Sequence, residues 1–269
     1  MKPRFKIFVY FACCLLFNFY RYAAANTGEA SSDEPVLAGN SSKNISGNKV
    51  ETTLDDLLDK CPDNFCTIDY ATAEAASALK NTGKNALEKI RAGDLIFQVA
   101  IDSEFDDAVA QSGTTDNSVT HVGIFYSPDV VIEANDFGVV ETNICKFIGN
   151  SARNIVMRIK NEAIISNALE HAKSFVGRPY NKSFYPNSEG LYCSELVTES
   201  FRNFNGTSYF VLYPMKFPAK EFWTEYYDEL KLPIPEGVLG SHPQQILEQK
   251  ELISKVVEIY CKKNYNITD

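Results

Sequence analysis

Histidine is scarce in this chain, with three copies among 269 residues. Apart from Cys61 and Cys66, no cysteine pair has the spacing of zinc ligands, and no histidine pair has it. The sequence also lacks an internal repeat and a glycine-rich loop that could hold a phosphate. We therefore predict no metal site and no other cofactor.

A long apolar run is also missing. The run from Ile7 to Tyr20 has 14 residues, whereas a helix that spans a membrane needs about 20. It follows three basic residues and precedes Ala23–Ala25, a small-residue cleavage site. This order predicts a signal peptide over residues 1–25 and hence a secreted or periplasmic protein. An uncleaved N-terminal anchor and a lipid anchor are the alternatives.

Basic residues are outnumbered by acidic ones. Cleavage after Ala25 removes four of the 26 basic residues and no acidic one, which changes the net charge from −9 to −13. So acidic a chain, without a basic stripe and interleaved aromatics, is a poor partner for nucleic acid or an anionic membrane surface. We expect no nucleic-acid partner and, once the signal is removed, no integral membrane domain.

The rest of the chain divides by composition. Residues 26–60 are rich in Ser, Asn, Gly, Asp and Glu, which predicts a flexible linker. Residues 61–269 are long enough to bury one sizeable core, and we expect a single domain there.

Five cysteines follow the signal segment, and an oxidising compartment allows them to pair. Cys61 and Cys66 lie close together in a Pro/Asp/Asn loop, which favours a small disulfide between them. Cys145 with Cys261 would form the second. The sequence does not fix the pairing. Two such pairs would leave Cys193 as the one unpaired cysteine.

Three short elements carry the residues of greatest chemical interest. GDLIF at 93–97 predicts a strand, and HVGIFY predicts another that begins at His121. A turn then leads to VVIEA, a strand that contains Glu133. An apolar pattern of helical spacing follows Cys193 and extends to Phe204, so a helix is predicted to begin at the cysteine.

A thiol, an imidazole and a carboxylate on separate elements can form a cysteine nucleophile site. A helix N-terminus favours the thiolate form of Cys193, and the thiolate is the nucleophile. His121 can take the thiol proton, and Glu133 can orient the imidazole. An isolated cysteine or histidine is more often structural, but the joint placement of all three favours catalysis.

The ordered motifs resemble the circularly permuted branch of the papain-like NlpC-type superfamily, the YiiX/YaeF-like amidases. GDLIF, HVGIFY and the strand with Glu133 come before GRPY at 177–180 and YCSELV at 192–197. Unpermuted members have the cysteine block first. The resemblance covers roughly residues 88–245 and implies an α+β, circularly permuted papain-like (NlpC-type) fold, with an antiparallel sheet or partial barrel packed on helices.

The resemblance also implies roles for single residues. Cys193 is the nucleophile, His121 the base and Glu133 the orienting residue. Tyr180 matches the family's tyrosine beside the site. Tyr180 and Ser194 are assigned to the oxyanion or substrate-binding region, where the backbone N–H of Cys193 is a further donor.

Three other titratable residues compete for these roles. Asp136 lies three residues after Glu133 and could replace it, although it follows the predicted strand. His171 is predicted on a helix surface or partly packed. His242, in a C-terminal loop, is a weak substitute for His121.

The remaining elements are assigned from periodicity. Helices are predicted over 67–79, 86–90 (a short turn), 162–176 and 246–260, and strands over 138–141 and 155–159. Residues 102–117 are predicted to form a surface loop or a short helix beside the site. The aromatic tract 209–227 either packs in the core or floors a substrate groove.

These observations favour an exported cysteine hydrolase that cleaves an amide bond through a thioester acyl-enzyme. By resemblance its substrates are small peptides, cell-wall peptides or lipid-like amides. Charged residues at the site would favour a peptide. A deep apolar groove would favour an alternative, an acyltransferase or lipid thioesterase with the same Cys-His-Glu site. A second alternative is a catalytically silent binding module with the same fold.

Overall fold

An antiparallel sheet is the frame of the protein. The computed structural model describes residues 52–53, 58–61, 66–69, 89–99, 103–114 and 119–261. The strands are β1 (Thr52–Thr53), β2 (Cys66–Asp69), β3 (Lys89–Ile90), β4 (Leu95–Val99), β5 (Val119–Ser127), β6 (Val130–Asn135), β7 (Gly138–Asn143), β8 (Arg153–Ile159), β9 (Tyr213–Pro214), β10 (Leu239–Gly240) and β11 (Ile253–Cys261). The helices are α1 (Glu104–Ser112), α2 (Ile144–Gly149), α3 (Ile165–Phe175), α4 (Cys193–Ser200), α5 (Lys220–Leu230) and α6 (Pro243–Leu247).

The main sheet has the strand order β2-β11-β8-β4-β5-β6-β7, and all neighbours are antiparallel. The short pairs β1–β3 and β9–β10 lie outside it. Strands β5, β6 and β7 follow one another along the chain, so their turns fix the register between them. In this register Gly123 of β5 stands opposite Glu133 of β6.

The sheet is buried on both faces. In β4, Leu95 and Phe97 belong to one apolar cluster, while Ile96 belongs to another on the opposite face. The first cluster includes Leu196 and Val197 of α4, so this helix packs directly on the sheet. Burial on both faces explains why three consecutive residues of this strand, Leu95, Ile96 and Phe97, are all apolar. The α+β fold, an antiparallel sheet packed on helices, is as predicted.

The disulfides lie on the second face, and both predicted pairs, Cys61 with Cys66 and Cys145 with Cys261, are wrong. Cys66 of β2 stands opposite Cys261 of β11 in the sheet register, and these two are bonded. Cys61 is bonded to Cys145 of α2. Proximity in sequence misled the prediction, because strand pairing brings Cys261 to Cys66 across the whole domain. Cys193 is in neither disulfide.

Three segments that were predicted to be helical are partly strands. Ile253–Cys261 is β11, not the end of a helix over 246–260, because it is rich in β-branched residues and pairs with β8 along its length. Cys66–Asp69 pairs with β11, so the predicted helix does not begin at Thr67. Residues 70–79 lie outside the described ones. In the predicted turn at 86–90, Lys89–Ile90 is a strand, and 86–88 also lie outside.

The other elements follow the prediction more closely. Strands β7 and β8 and helix α3 are present, and the 102–117 segment contains the helix α1. Helix α4 ends at Ser200, short of Phe204, whose side chain is 77% exposed in a tight loop.

The segments before the sheet are described only in part. The predicted signal peptide, residues 1–25, lies outside the described residues. Within the predicted linker, Thr52–Thr53 pairs with Lys89–Ile90, so regular structure is already present there. None of the helices that the structure describes is long and apolar enough to cross a membrane.

Candidate active site

The N-terminal end of α4 presents the thiol. This helix begins at Cys193, directly after Tyr192, whose backbone is extended. The Tyr192 N–H donates to the Glu195 carboxylate at 3.3 Å, which satisfies a donor at the start of the helix. Leu196 and Val197 are fully buried against the sheet. These contacts fix the position of Cys193, which is 6% exposed.

His121 lies between the thiol and a carboxylate. Its Nε2 is 2.6 Å from Oε2 of Glu133. His121 is two residues before Gly123, the residue opposite Glu133, so both side chains lie on one face of the sheet. Cys193 also interacts with the imidazole, and its sulfur lies 3.8 Å from the carbonyl oxygen of Thr120, the residue before His121. Because Glu133 occupies Nε2, Nδ1 is the ring nitrogen left for the sulfur. The structure therefore brings the three predicted residues together.

The two neighbours of His121 determine its charge. Burial lowers the pKa of His121, but hydrogen bonds with Cys193 and Glu133 and the negative charges of both outweigh it and raise this pKa to about 10. Burial also raises the pKa of Glu133, but the hydrogen bond and charge of His121 bring it below its ordinary value. At neutral pH the site thus holds an imidazolium beside a carboxylate.

The second carboxylate oxygen of Glu133 bonds a residue that the sequence patterns did not indicate. The Thr142 hydroxyl of β7 donates to Oε1 of Glu133 at 2.5 Å, so each carboxylate oxygen has a partner. Thr142 stands opposite Val131 in the register of β6 and β7, and without this register nothing distinguishes it from other threonines. Asp136, the competing carboxylate, is exposed in the turn between these strands, and it is Glu133 that bonds His121.

The GRPY segment brings Tyr180 to the site. The Pro179 carbonyl accepts from the Leu191 N–H at 3.1 Å. A Cβ on Gly190 would lie 2.2 Å from the same carbonyl oxygen, so the two segments can approach only because residue 190 is glycine. Burial and then the charge of Cys193 raise the pKa of Tyr180 well above its ordinary value. Its hydroxyl therefore stays protonated and able to donate.

Ser194, the residue after Cys193, is buried. Its hydroxyl donates to the carbonyl of Ser241 at 3.1 Å. The N–H of Ser241 in turn donates to the Tyr192 hydroxyl at 3.1 Å. The two residues that flank Cys193 thus hold the main chain of Ser241, which lies just before α6.

A pocket opens beside Cys193, and most of its lining is apolar or aromatic. Its aromatic side chains include Phe105 of α1, Phe184, Phe217 and Trp223 of α5. Among the lining residues that the structure describes, no carboxylate is present, and the charged side chain is that of Lys216, which is exposed. Trp223 is also 1% exposed, so the aromatic tract both packs in a core and lines the pocket.

The other two histidines are held elsewhere. His242 lines the pocket, but its Nε2 donates to the Val109 carbonyl at 2.9 Å and its Nδ1 accepts from the Gln244 N–H at 3.0 Å. Burial lowers the pKa of His242 to about 4, so it is neutral at physiological pH. His171 is exposed on α3, with Nδ1 3.1 Å from the Ser200 carbonyl.

A family model places these residues among known proteins. Residues 89–255 match the model of permuted papain-like amidases, the YaeF/YiiX or C92 family. The chain belongs to this family. The match spans both the His121 and the Cys193 elements, in the permuted order that the motifs predicted.

Solved structures agree with the family's fold. A crystal structure described as metalloprotein yiiX from Escherichia coli O157:H7 superposes with a TM-score of 0.52 and 21% sequence identity. The superposition covers 64% of this chain and 98% of that one. No curated protein gives a significant match. In the protein described here, the residues that the structure describes include no group of three or more His, Cys, Asp or Glu side chains able to hold a metal ion.

The buried carboxylate of Glu195 makes a pH dependence of stability testable. Burial is the largest effect and raises the pKa of Glu195 to about 7, despite donors from Asn181 and Tyr192. The folded state therefore holds this proton more tightly than the unfolded state. Its stabilising contribution is complete below the ordinary pKa, 4.5, and is lost as the pH rises through the folded-state value of about 7.

We expect the free energy of unfolding of Glu195→Gln to fall less than that of the wild type between pH 5 and pH 8, because the amide does not titrate. Its oxygen can still accept both hydrogen bonds. Urea unfolding of both proteins at the two pH values measures this difference. Glu225→Gln, at an exposed position of α5, is the matched control. Parallel losses in the wild type and Glu195→Gln would contradict the expectation.

Proposed function

We propose that this protein is an exported cysteine hydrolase that cleaves an amide bond through a thioester acyl-enzyme. Cys193 is the nucleophile, His121 the acid and base, and Glu133 the residue that positions the imidazole. The observation that carries the proposal is the contact of one imidazole with both the thiol and a buried carboxylate. Membership of an amidase family supports the reaction class.

The first half-reaction forms the acyl-enzyme. The Cys193 sulfur attacks the amide carbonyl carbon, and an electron pair moves to the oxygen. The N–H of Cys193, in the first turn of α4, has no acceptor within its helix and is available to this oxyanion. The Tyr180 hydroxyl is the second proposed donor. The C–N bond then breaks as the His121 imidazolium gives its proton to the amine nitrogen.

The second half-reaction releases the acid. Neutral His121 takes a proton from water while the water oxygen attacks the thioester carbon. The C–S bond breaks, the carboxylic acid leaves, and the thiolate–imidazolium pair is restored. Throughout, Glu133 holds Nε2, so that Nδ1 keeps facing the sulfur.

Two observations support export. The first 25 residues have the order of a signal peptide. Four of the five later cysteines form two disulfides, and such bonds form and persist in oxidising compartments.

The pocket beside Cys193 supports an apolar substrate group. Its aromatic side chains can bury such a group, and no described carboxylate lines it to hold a substrate amine. A lipid-like amide therefore fits better than a charged peptide end. The same apolar lining favours a second candidate function, acyl transfer or thioester hydrolysis, in which the acyl-enzyme is shared and only the acceptor or the leaving group differs.

A chromogenic ester with an apolar chain, p-nitrophenyl hexanoate, tests the acyl-enzyme. We expect a burst of p-nitrophenolate equal to the amount of enzyme and a hexanoyl adduct on Cys193 in peptide maps. Cys193→Ala should show neither. Hexanoyl p-nitroanilide then tests amide cleavage, and added hexylamine separates hydrolysis from transfer by the product formed. Absence of the adduct in the wild type would sink the hydrolase proposal in favour of the binding module.

A further inference from the structure

The pocket beside Cys193 contains a buried hydroxyl with no partner. Ser241 lines this pocket and is 8% exposed. Its Oγ is buried and makes no hydrogen bond to any residue that the structure describes. A buried polar group without a partner destabilises the protein, so such a group at a binding site calls for an explanation.

The main chain of Ser241 is fixed relative to the nucleophile. Its carbonyl accepts from the Ser194 hydroxyl, and its N–H donates to the Tyr192 hydroxyl. Both partners are sequence neighbours of Cys193. The side chain, in contrast, has one rotatable bond with three staggered positions, so it can turn its hydroxyl toward the pocket that the residue lines.

Neighbouring groups do not satisfy this hydroxyl. Both ring nitrogens of His242, the next residue, are already used by Val109 and Gln244. Trp223 lines the same pocket, and its buried indole N–H also has no acceptor within the described part of the chain. An aromatic pocket therefore holds two buried donors that a purely hydrocarbon group would leave unpaired.

We propose that Ser241 is a specificity-determining residue and that the apolar group bound in this pocket carries a hydrogen-bond acceptor, such as a carbonyl or ether oxygen. This inference rests on the proposed function, because it concerns the substrate of the Cys193 site. A group that pairs with the hydroxyl removes the unpaired donor, whereas a plain alkyl chain leaves it buried. Polar groups of this kind are what give a largely apolar pocket its selectivity.

Two electrophiles of nearly equal shape test the proposal. N-[2-(4-acetylphenyl)ethyl]iodoacetamide carries a carbonyl acceptor, and N-[2-(4-ethylphenyl)ethyl]iodoacetamide has a methylene in its place. The alkylation rate of Cys193 is followed by intact mass and divided by the rate of each reagent with 2-mercaptoethanol. We expect the acetyl-to-ethyl rate ratio to be about fivefold higher in the wild type than in Ser241→Ala, as one neutral hydrogen bond allows.

Control variants separate this effect from a general disturbance. Ser200 also has a buried hydroxyl without a described partner, but it does not line the pocket, so Ser200→Ala should keep the wild-type ratio. Ser241→Thr, which keeps the hydroxyl and adds no thiol, should keep a ratio close to that of the wild type.

The possible failures are distinguishable. Fast labelling of Cys193 with equal ratios in the wild type and Ser241→Ala would overturn the role of Ser241 and leave the hydrolase standing. A wild-type Cys193 that labels no faster than a free thiol with either reagent would overturn the proposed function and this inference with it.

Discussion

Replacing His121 with alanine is expected to slow the alkylation of Cys193 at pH 6 by about two orders of magnitude, because an ordinary thiol with a pKa of about 8.5 is almost fully protonated there. In the wild type, burial lowers the pKa of His121 but its two anionic neighbours raise it to about 10, so an imidazolium faces the sulfur. The rate of iodoacetamide labelling between pH 5 and pH 9, with the modified cysteine located by peptide mapping, measures the effect.

His171→Ala is the matched control for this experiment. His171 is exposed on α3 and bonds the Ser200 carbonyl, so its loss should leave the labelling profile unchanged. The non-reduced protein is used, because the other four cysteines after the signal segment are then protected as disulfides. Equal labelling of His121→Ala and the wild type at pH 6 would show that the imidazole does not activate the thiol.

Replacing Glu133 with glutamine is expected to lower the rate of acyl-enzyme formation by about a hundredfold or more, the range of a lost acid–base contribution. The amide keeps the size of the side chain and can still bond Thr142 and His121. It cannot, however, balance the charge of the imidazolium, and it does not select one tautomer of the His121 imidazole. The rate is measured from the p-nitrophenolate burst.

The same variant has a signature in its pH profile. The charge and hydrogen bond of Glu133 are among the causes that raise the pKa of His121 to about 10. Without them the pKa of His121 falls, so the imidazolium is lost at a lower pH. The alkaline limb of the pH profile of the burst rate therefore shifts to lower pH. Glu141→Gln, at an exposed position of the neighbouring strand β7, should keep the wild-type limb. An unchanged limb in Glu133→Gln would mean that the carboxylate only supports the fold.

Local patterns predicted the three residues that the structure brings together, because each lies in a short element with a strong signal. The alternating run after His121 and the helical run after Cys193 each had one plausible secondary structure. The histidine and cysteine blocks were also assigned in the right permuted order, since motif order is a property of the chain itself.

Local patterns failed where a strand needs a distant partner. The 253–261 segment has apolar residues compatible with a helix, but pairing with β8 on one side and β2 on the other makes it a central strand. The prediction of the disulfides failed for the same reason, because Cys66 meets Cys261 only through that strand pairing.

The sequence by itself determined the family, the α+β class and the three residues of the candidate site, because these depend on residue types and spacing within short segments. Only the tertiary structure decided which atoms meet: Thr142 on Glu133, Ser194 and Tyr192 on Ser241, and the aromatic pocket beside the thiol. Such contacts depend on strand register and on the approach of segments far apart in the chain. No local pattern encodes them.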